Sequence, residues 1–170
     1  MGLALAGVAT EPNRDAFAVD GLVPQVVACP KSVDELAAAV RVAADNGWAI
    51  IPRGGGTKMA LGNIPRAADV VLCTAGLDQI LEYEPADLVV TVQAGIRFGQ
   101  LQRVLGEHGQ FLALDPPMSD QVTAGGVIAT NSSGPLRLRH GTVRDHLLGI
   151  KVVDPEGGIT KSGGKVVKNV

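Results

Sequence analysis

Three consecutive glycines followed by a threonine form the strongest chemical signal in the sequence. The run Gly54, Gly55, Gly56 lies between Arg53 and Thr57, directly after an apolar segment that is typical of a strand. Glycine adopts positive φ readily, so consecutive glycines can present several backbone N–H groups in one concavity. Such a concavity suits a phosphate or pyrophosphate group. Taken alone, the triplet fits a plain tight turn equally well, because glycine-rich loops are common.

Two well-known phosphate-binding motifs do not fit this loop. A P-loop requires Gly-Lys before Ser or Thr, whereas here Lys58 follows Thr57. A dinucleotide fingerprint that starts at Gly54 would need glycine at the sixth position, which is Met59. Any phosphate bound by this loop is therefore held in another fold.

A second segment, residues 123–134, consists mostly of small residues that let a ligand approach the backbone closely. Thr123 is predicted to cap a short helix, whose N-terminus would supply N–H donors for an anion. The hydroxyls of Thr123, Thr130, Ser132 and Ser133 could bond to polar ligand atoms. Taken alone, the segment is better interpreted as a helix packed tightly on a sheet.

A stiff loop precedes this segment. In the run 116–119, Pro116 and Pro117 restrict the backbone and could hold a following N–H group in place for a ligand. A rigid crossing loop without any ligand is the alternative interpretation.

The elements that would position these loops begin with a strand, a helix and a second strand. Gln25–Cys29 reads as a buried strand, and Ser32 with Glu35 forms a capping box at the start of a helix. That helix ends at Asn46, and Trp48–Pro52 is the next strand. Short connections of this kind predict a βαβ unit with parallel strands.

The rest of the chain reads as a mixture of strands and helices, so the fold class is α+β. Further strands are predicted at 70–73, 80–83, 88–94, 150–153 and 159–161, with a helix at 98–108. Residues 1–24 are a lead-in to one domain over 25–170. This domain divides into a parallel βαβ lobe over about 25–73 and a mixed or antiparallel lobe with flanking helices over about 78–170.

Composition excludes several classes of function. The net charge is −2 and no basic stripe with interleaved aromatics occurs, which argues against nucleic-acid binding. Cys29 and Cys73 stand far apart at the ends of apolar runs, so we interpret them as buried free thiols in a reducing, cytoplasmic setting. No metal-ligand spacing and no transmembrane segment is found. His108, His140 and His146 are interpreted as surface or helix-end residues.

In their order and spacing, these stretches resemble the FAD-binding (PCMH-type) domain of the vanillyl-alcohol oxidase superfamily. The resemblance extends from Gln25 onward. It rests on the P-R-G-G-G-T run 52–57, a strand leading to Ala94-Gly95 and a helix, the proline loop, the T-x-G-G-x-x-A-x-N-x-x-G segment 123–134, and Gly141 and Asp145 before the final hairpin. Many relatives have an aromatic residue where this chain has His140.

The resemblance implies a set of cofactor contacts and a non-covalent FAD. Some relatives attach the flavin to a histidine just after the first loop, where this chain has Lys58 and Met59. The implied contacts are the pyrophosphate on Arg53, Gly54, Gly55, Gly56 and Thr57, the flavin–ribityl region on Pro117 and Met118, the dinucleotide along Thr123, Gly125, Gly126, Ala129, Thr130, Ser132 and Gly134, and the adenine at the backbone of Ile159.

Within the superfamily, the runs 134–139 and 163–170 are most similar to FAD-binding subunits of bacterial glycolate oxidases. This implies oxidation of a 2-hydroxy acid to a 2-oxo acid by a flavin-dependent oxidoreductase, in a cytoplasmic protein that partner subunits could bring to the inner membrane. The family continues beyond this length with the rest of the FAD domain and a cap domain that supplies substrate contacts, so no catalytic residue is assigned. A non-catalytic FAD-holding or electron-relay subunit and a non-flavin phosphate binder are the two alternatives.

Overall fold

The computed structural model describes residues 6–164, and its secondary structure is of the expected α+β class. No helix within this range is long and apolar enough to cross a bilayer. The strands are β1 (Val26–Ala28), β2 (Ile50–Arg53), β3 (Val70–Cys73), β4 (Ile80–Glu84), β5 (Val89–Val92), β6 (Gly149–Val153) and β7 (Ile159–Gly163). The α-helices are α1 (Val33–Asp45), α2 (Phe98–Gly106), α3 (Ala124–Ala129), α4 (Arg137–His140) and α5 (Val143–His146).

The chain forms two compact units whose boundaries cross the sequence more than once. Within the described residues, unit 1 contains 6–53, Lys58–Leu77 and Lys151–Thr160. Unit 2 contains Gly54–Thr57, Asp78–Ile150 and 161–164. The glycine loop is thus a part of unit 2 that interrupts unit 1, and the turn of the final hairpin belongs to unit 1. The two continuous lobes predicted from the sequence, about 25–73 and about 78–170, did not include these two exchanges of segments between the units.

Unit 1 is built on a three-stranded parallel sheet in the order β1-β3-β2. The predicted parallel orientation of β1 and β2 is confirmed, but β3 lies between them and pairs with both, Val71 facing Val27 on one side and Ile51 on the other. All four residues of β3 are buried. A central strand buried on both faces explains why its sequence is continuously apolar instead of alternating.

Helix α1 begins where the capping pattern predicted. The Ser32 hydroxyl accepts a hydrogen bond from the Glu35 N–H at 3.1 Å, and the Glu35 carboxylate accepts one from the Lys31 N–H at 2.8 Å. The carboxylate therefore bonds one residue earlier than a standard capping box requires. The buried helix face, which includes Ala39 and Ala43, packs against side chains of β1 and β3.

Unit 2 contains the antiparallel strand pair β4 and β5 and the helix α2. Strands β4 and β5 pair antiparallel, and Leu88 adopts φ 58° where the chain turns between them. Helix α2 buries Leu101 and Leu105 in a cluster with Ile96 and Ala124. The helix ends at Gly106, two residues before the expected end, because the N–H of Gln110 returns to the Leu105 carbonyl at 3.1 Å.

The two cysteines are free thiols beside each other in unit 1. Cys29 follows β1 directly and Cys73 ends β3, so the parallel pairing of the two strands brings them together. Burial, and secondarily the charge and hydrogen bond of Cys73, raise the pKa of the Cys29 thiol from 9.0 to about 11. The neutral thiol is therefore the stable form of Cys29 in the folded protein.

This raised pKa predicts a loss of stability in alkali. An acid whose pKa is higher in the folded state contributes stability below its unfolded pKa and loses it as the pH rises through the folded value. Between pH 9 and 11, the free energy of unfolding should fall more for wild type than for Cys29→Ala. Denaturant melts at pH 8, 9, 10 and 11 would measure this, and parallel curves for the two proteins would contradict it.

Candidate functional site

Each glycine of the Gly54–Gly56 run has its own structural reason. A Cβ on Gly54 would overlap the Thr123 hydroxyl oxygen. A Cβ on Gly55 would overlap the Gln121 carbonyl oxygen and lie 2.9 Å from Nη1 of Arg97. Gly56 adopts φ +72°, which favours glycine over other residues. The loop is thus held against the backbone at 121–123, and the close approach leaves no room for side chains.

The glycine loop keeps its backbone donors free. Within the described residues, no N–H group from Gly54 to Thr57 donates to another group of the protein, and the Thr57 hydroxyl makes no hydrogen bond. All four residues are partly exposed. Successive unpaired N–H groups at a partly exposed turn are the arrangement that binds an anion. The loop can therefore donate hydrogen bonds to phosphate oxygens without first breaking an internal hydrogen bond.

The proline loop connects to this site through a tight turn at Met118. Met118 adopts φ 57°, and its carbonyl accepts hydrogen bonds from the N–H groups of Gln121 at 2.8 Å and Val122 at 3.0 Å. The Gln121 carbonyl in turn accepts a hydrogen bond from the Arg97 guanidinium. The turn thus fixes the segment against which Gly55 packs. Pro117 and Met118 themselves are exposed.

Thr123 caps α3 as predicted, but this helix does not supply donors to an anion. The Thr123 hydroxyl accepts from the Gly126 N–H at 3.3 Å. The N–H groups of Ala124 and Gly125 donate to the carbonyls of Ile96 at 2.9 Å and Ala94 at 2.8 Å. All three N–H groups of the first turn are therefore bonded within the protein. The expectation of free donors here is wrong, because the chain before α2 occupies them.

The hydroxyls of segment 123–134 are also mostly committed to the protein. Thr123 and Ser133 are 1% and 3% exposed, and the Ser133 hydroxyl accepts from the Val143 N–H at 3.2 Å. Thr130 donates to the Gly126 carbonyl at 2.8 Å. The proposed direct use of Thr123 and Ser133 hydroxyls by a ligand is therefore wrong. The Ser132 hydroxyl is partly exposed and has no partner among the described residues.

Gly134 makes a close approach of a different kind. It adopts φ +69°, and a Cβ there would overlap the Asp115 carboxylate and backbone. The same carboxylate accepts a hydrogen bond from the Leu136 N–H at 3.0 Å. Gly134 therefore allows Asp115 to fix the chain that follows α3, which is an internal role.

The remaining predicted residues are divided between unit 2 and unit 1. Ala129 lies exposed on α3, and Gly125 packs its Cα side against Ala94. Arg53 and Ile159 belong to unit 1, where the Arg53 guanidinium donates to the Ala16 carbonyl at 2.9 Å and lies 4.4 Å from the centre of the Phe17 ring. The side chain of Arg53 thus has partners in unit 1, and its backbone carbonyl accepts a hydrogen bond from the Thr74 hydroxyl at 3.4 Å.

Sequence reasoning missed Arg97 and Gln121. Arg97 stands directly before α2, and its proximity to Gly55 arises only when residues 121–123 fold back beside it, with a bridge between Arg97 and Thr123. Local spacing carries no signal of that contact. The adjacent Ala94-Gly95 pair was the one feature of the sequence that pointed to this region.

A groove of unit 2 lies beside α2 and does not contain the predicted cofactor residues. It has a volume of about 690 Å³, and Arg103, Asp115, Ser119 and Asp120 are among the residues that line it. No group of three or more potential metal ligands occurs in the described range. His140 and His146 end α4 and α5, and His108 packs edge-on against Tyr83, so no histidine joins the glycine loop.

Comparison with known proteins decides the family. The model of the FAD binding domain family matches residues 24–163. The chain belongs to this family. The resemblance to the vanillyl-alcohol oxidase superfamily is thereby confirmed, and with it the nature of the cofactor, FAD.

The relatives of this FAD-binding domain act on small hydroxy acids, as their names state. It is 34% identical over 147 residues to glycolate oxidase subunit GlcD of Bacillus subtilis, which covers 86% of this chain and 31% of that protein. It is 32% identical over 168 residues to D-lactate dehydrogenase of Archaeoglobus fulgidus, covering 93% and 37%. The chain therefore spans about a third of the length of these relatives.

Solved structures agree with this fold. A BBE-like 1 protein of Physcomitrella patens superposes with a TM-score of 0.77 at 23% identity, over 94% of this chain and 37% of that one. The 6-hydroxy-D-nicotine oxidase of Arthrobacter nicotinovorans gives 0.76 at 22% identity, over 90% and 34%. At these identities the likeness establishes the architecture of the FAD-binding domain.

The residues around the glycine loop fit FAD. The diphosphate of FAD is an anion with several acceptor oxygens, and the loop offers four unpaired N–H groups with a guanidinium beside it. Donor-only groups around an anion are chemically complementary to it. The donors lie in unit 2, so this part of the site is formed within one compact unit.

Replacing Gly55 with alanine should disrupt the loop. The new Cβ would overlap the Gln121 carbonyl, so the loop must move away from residues 121–123, at a cost of about 1–3 kcal/mol. We expect lower stability and weaker FAD binding, measured by denaturant unfolding and fluorescence titration. Gly106→Ala is the matched control, since nothing lies within 4 Å of its added Cβ. Wild-type affinity in Gly55→Ala would refute the packing argument.

Proposed function

We propose that the protein to which this domain belongs oxidises a 2-hydroxy acid to the corresponding 2-oxo acid. The observation that carries the proposal is the family match together with the free N–H groups of Gly54–Thr57. When bound, FAD would supply the redox chemistry, that of a hydride acceptor. The residues of this chain hold and orient that cofactor.

The individual cofactor contacts are part of the proposal. The backbone of Arg53 to Thr57 would hold the diphosphate, and the exposed Pro117 and Met118 would lie along the flavin and ribityl chain. Gly125, Gly126 and Ala129 would bring the surface of α3 close to the dinucleotide, while Thr130 and Ser132 supply polar atoms at its end. Thr123 as the cap of α3, and Gly134 through its close approach to Asp115, would act by fixing this surface. Ile159 would meet the adenine through its backbone.

The substrate class is inferred from the relatives. Two of them are named for oxidation of glycolate or D-lactate, and a third, 32% identical, is D-2-hydroxyglutarate dehydrogenase of Xanthomonas citri. All three substrates carry a hydroxyl on the carbon next to a carboxylate. The chemistry common to the relatives is therefore the 2-hydroxy acid, and the rest of the substrate differs between them.

Non-covalent attachment of FAD follows from the residues after the glycine loop. Covalent attachment of the family's kind needs a histidine there, and residues 58–69 contain none. The free thiols Cys29 and Cys73 support a reducing compartment, so we place the protein in the cytoplasm. Peripheral contact with the inner membrane would depend on partner subunits.

Flavin titration tests the cofactor proposal directly. Apo-protein titrated with FAD and with FMN, followed by flavin fluorescence, should bind FAD in preference, because FMN lacks the diphosphate. The flavin should be released when the protein is denatured in guanidinium. Flavin that remains with the denatured chain would exclude non-covalent attachment, and equal affinity for FMN would exclude the role of the diphosphate site.

A second function deserves a separate test, because one relative is named a subunit. In that case the protein would hold FAD or relay electrons for a partner that oxidises the substrate. The complete protein, loaded with FAD, should reduce a dye acceptor with glycolate, D-lactate or D-2-hydroxyglutarate. Flavin bleaching by one of these acids without any partner supports the catalytic proposal. Bleaching only after a partner is added supports the relay alternative.

A further inference from the structure

The guanidinium of Arg97 lies at the glycine loop. Its Nη1 donates to the Gln121 carbonyl and would be 2.9 Å from a Cβ on Gly55. Arg97 forms no ion pair in the part of the chain that the structure describes, and its side chain is partly exposed. One N–H of the five is used, so the remaining donors are open to a ligand.

The arginine within the glycine motif already has two partners of its own. The Arg53 guanidinium is held in unit 1 by the Ala16 carbonyl and the Phe17 ring. Backbone N–H groups carry only partial charges, whereas the diphosphate of FAD carries full negative charge. A cation at hydrogen-bonding range strengthens such binding because a charge-assisted hydrogen bond is about twice as strong as a neutral one.

We infer that Arg97 is the cation that pairs with the FAD diphosphate at the glycine loop. The inference rests on FAD binding by this loop and adds a residue from outside the motif. The Gln121 carbonyl holds one edge of the guanidinium, which leaves its other N–H groups as a planar fork suited to phosphate oxygens. Arg97 thus neutralises the ligand's charge and sets the dependence of binding on salt.

A purely structural role for Arg97 makes different predictions. If the side chain only tethers Gln121, its removal would loosen the loop and weaken every flavin alike. If it pairs with the diphosphate, its removal would weaken FAD while sparing riboflavin, which has no phosphate. Charge pairing is also screened by salt, whereas a hydrogen bond between Arg97 and a carbonyl is much less so.

The test is flavin titration of wild type, Arg97→Gln, Arg97→Lys and Arg103→Gln. Arg103, which lies in α2 and is exposed, provides the matched loss of one charge. We expect Arg97→Gln to raise the Kd for FAD by about 10- to 100-fold. It should also flatten the dependence of log Kd on log KCl and leave riboflavin binding within about twofold. Arg97→Lys should restore part of the affinity and the salt dependence, and Arg103→Gln should match wild type.

A protection experiment on wild type covers the case in which Arg97→Gln does not fold. Phenylglyoxal modifies exposed guanidinium groups, and peptide mass spectrometry locates the adducts. Bound FAD should slow modification of Arg97 and leave that of Arg103 unchanged. Unchanged modification of Arg97, an unchanged salt dependence in Arg97→Gln, or an equal loss of FAD and riboflavin would overturn the inference. Failure of wild type to bind FAD would instead reject the cofactor site itself.

Discussion

The contact on which this site depends is the approach of Gly54 and Gly55 to the backbone at 121–123. Two segments that are far apart in the sequence lie so close that neither glycine could carry a Cβ. Packing at this distance fixes the loop by excluded volume, which a flexible glycine chain could not achieve by its own preferences. The glycines are therefore required for this packing, and the free N–H groups at the loop surface are its consequence.

Other parts of unit 2 maintain this contact. The Met118 turn positions Gln121, and the bridge between Arg97 and Thr123 aligns the chain before α2 with the start of α3. The N–H groups of Ala124 and Gly125 bond to carbonyls at 96 and 94. The donors that remain free in this region are thus those of one loop and of the neighbouring Arg97 guanidinium. The small residues of α3 form a surface that a ligand could approach closely, and they contribute no charge and no free N–H donors in the first turn.

Much of this was predictable because it is written in local sequence. The capping residues of α1, the continuously apolar β3 and the small residues of 123–134 each follow from short-range rules, and the ordered motifs together identified the family. The position of β3 between β1 and β2 was not predictable, since all three strands are apolar and parallel. Two features depend on contacts between segments that are distant in the sequence. These are the bonding of the first N–H groups of α3 and the position of Arg97. Such contacts leave no local pattern.

The saturation of polar groups around α3 has a consequence for how the holoprotein is made. Among the described residues, only Nε2 of His146 is a buried side-chain polar atom without a partner. An empty pocket is costly when its buried polar groups lack hydrogen-bond partners. The buried side chains around α3 have such partners within the protein. FAD would therefore meet a surface whose buried side-chain polar atoms the described part of the chain already satisfies.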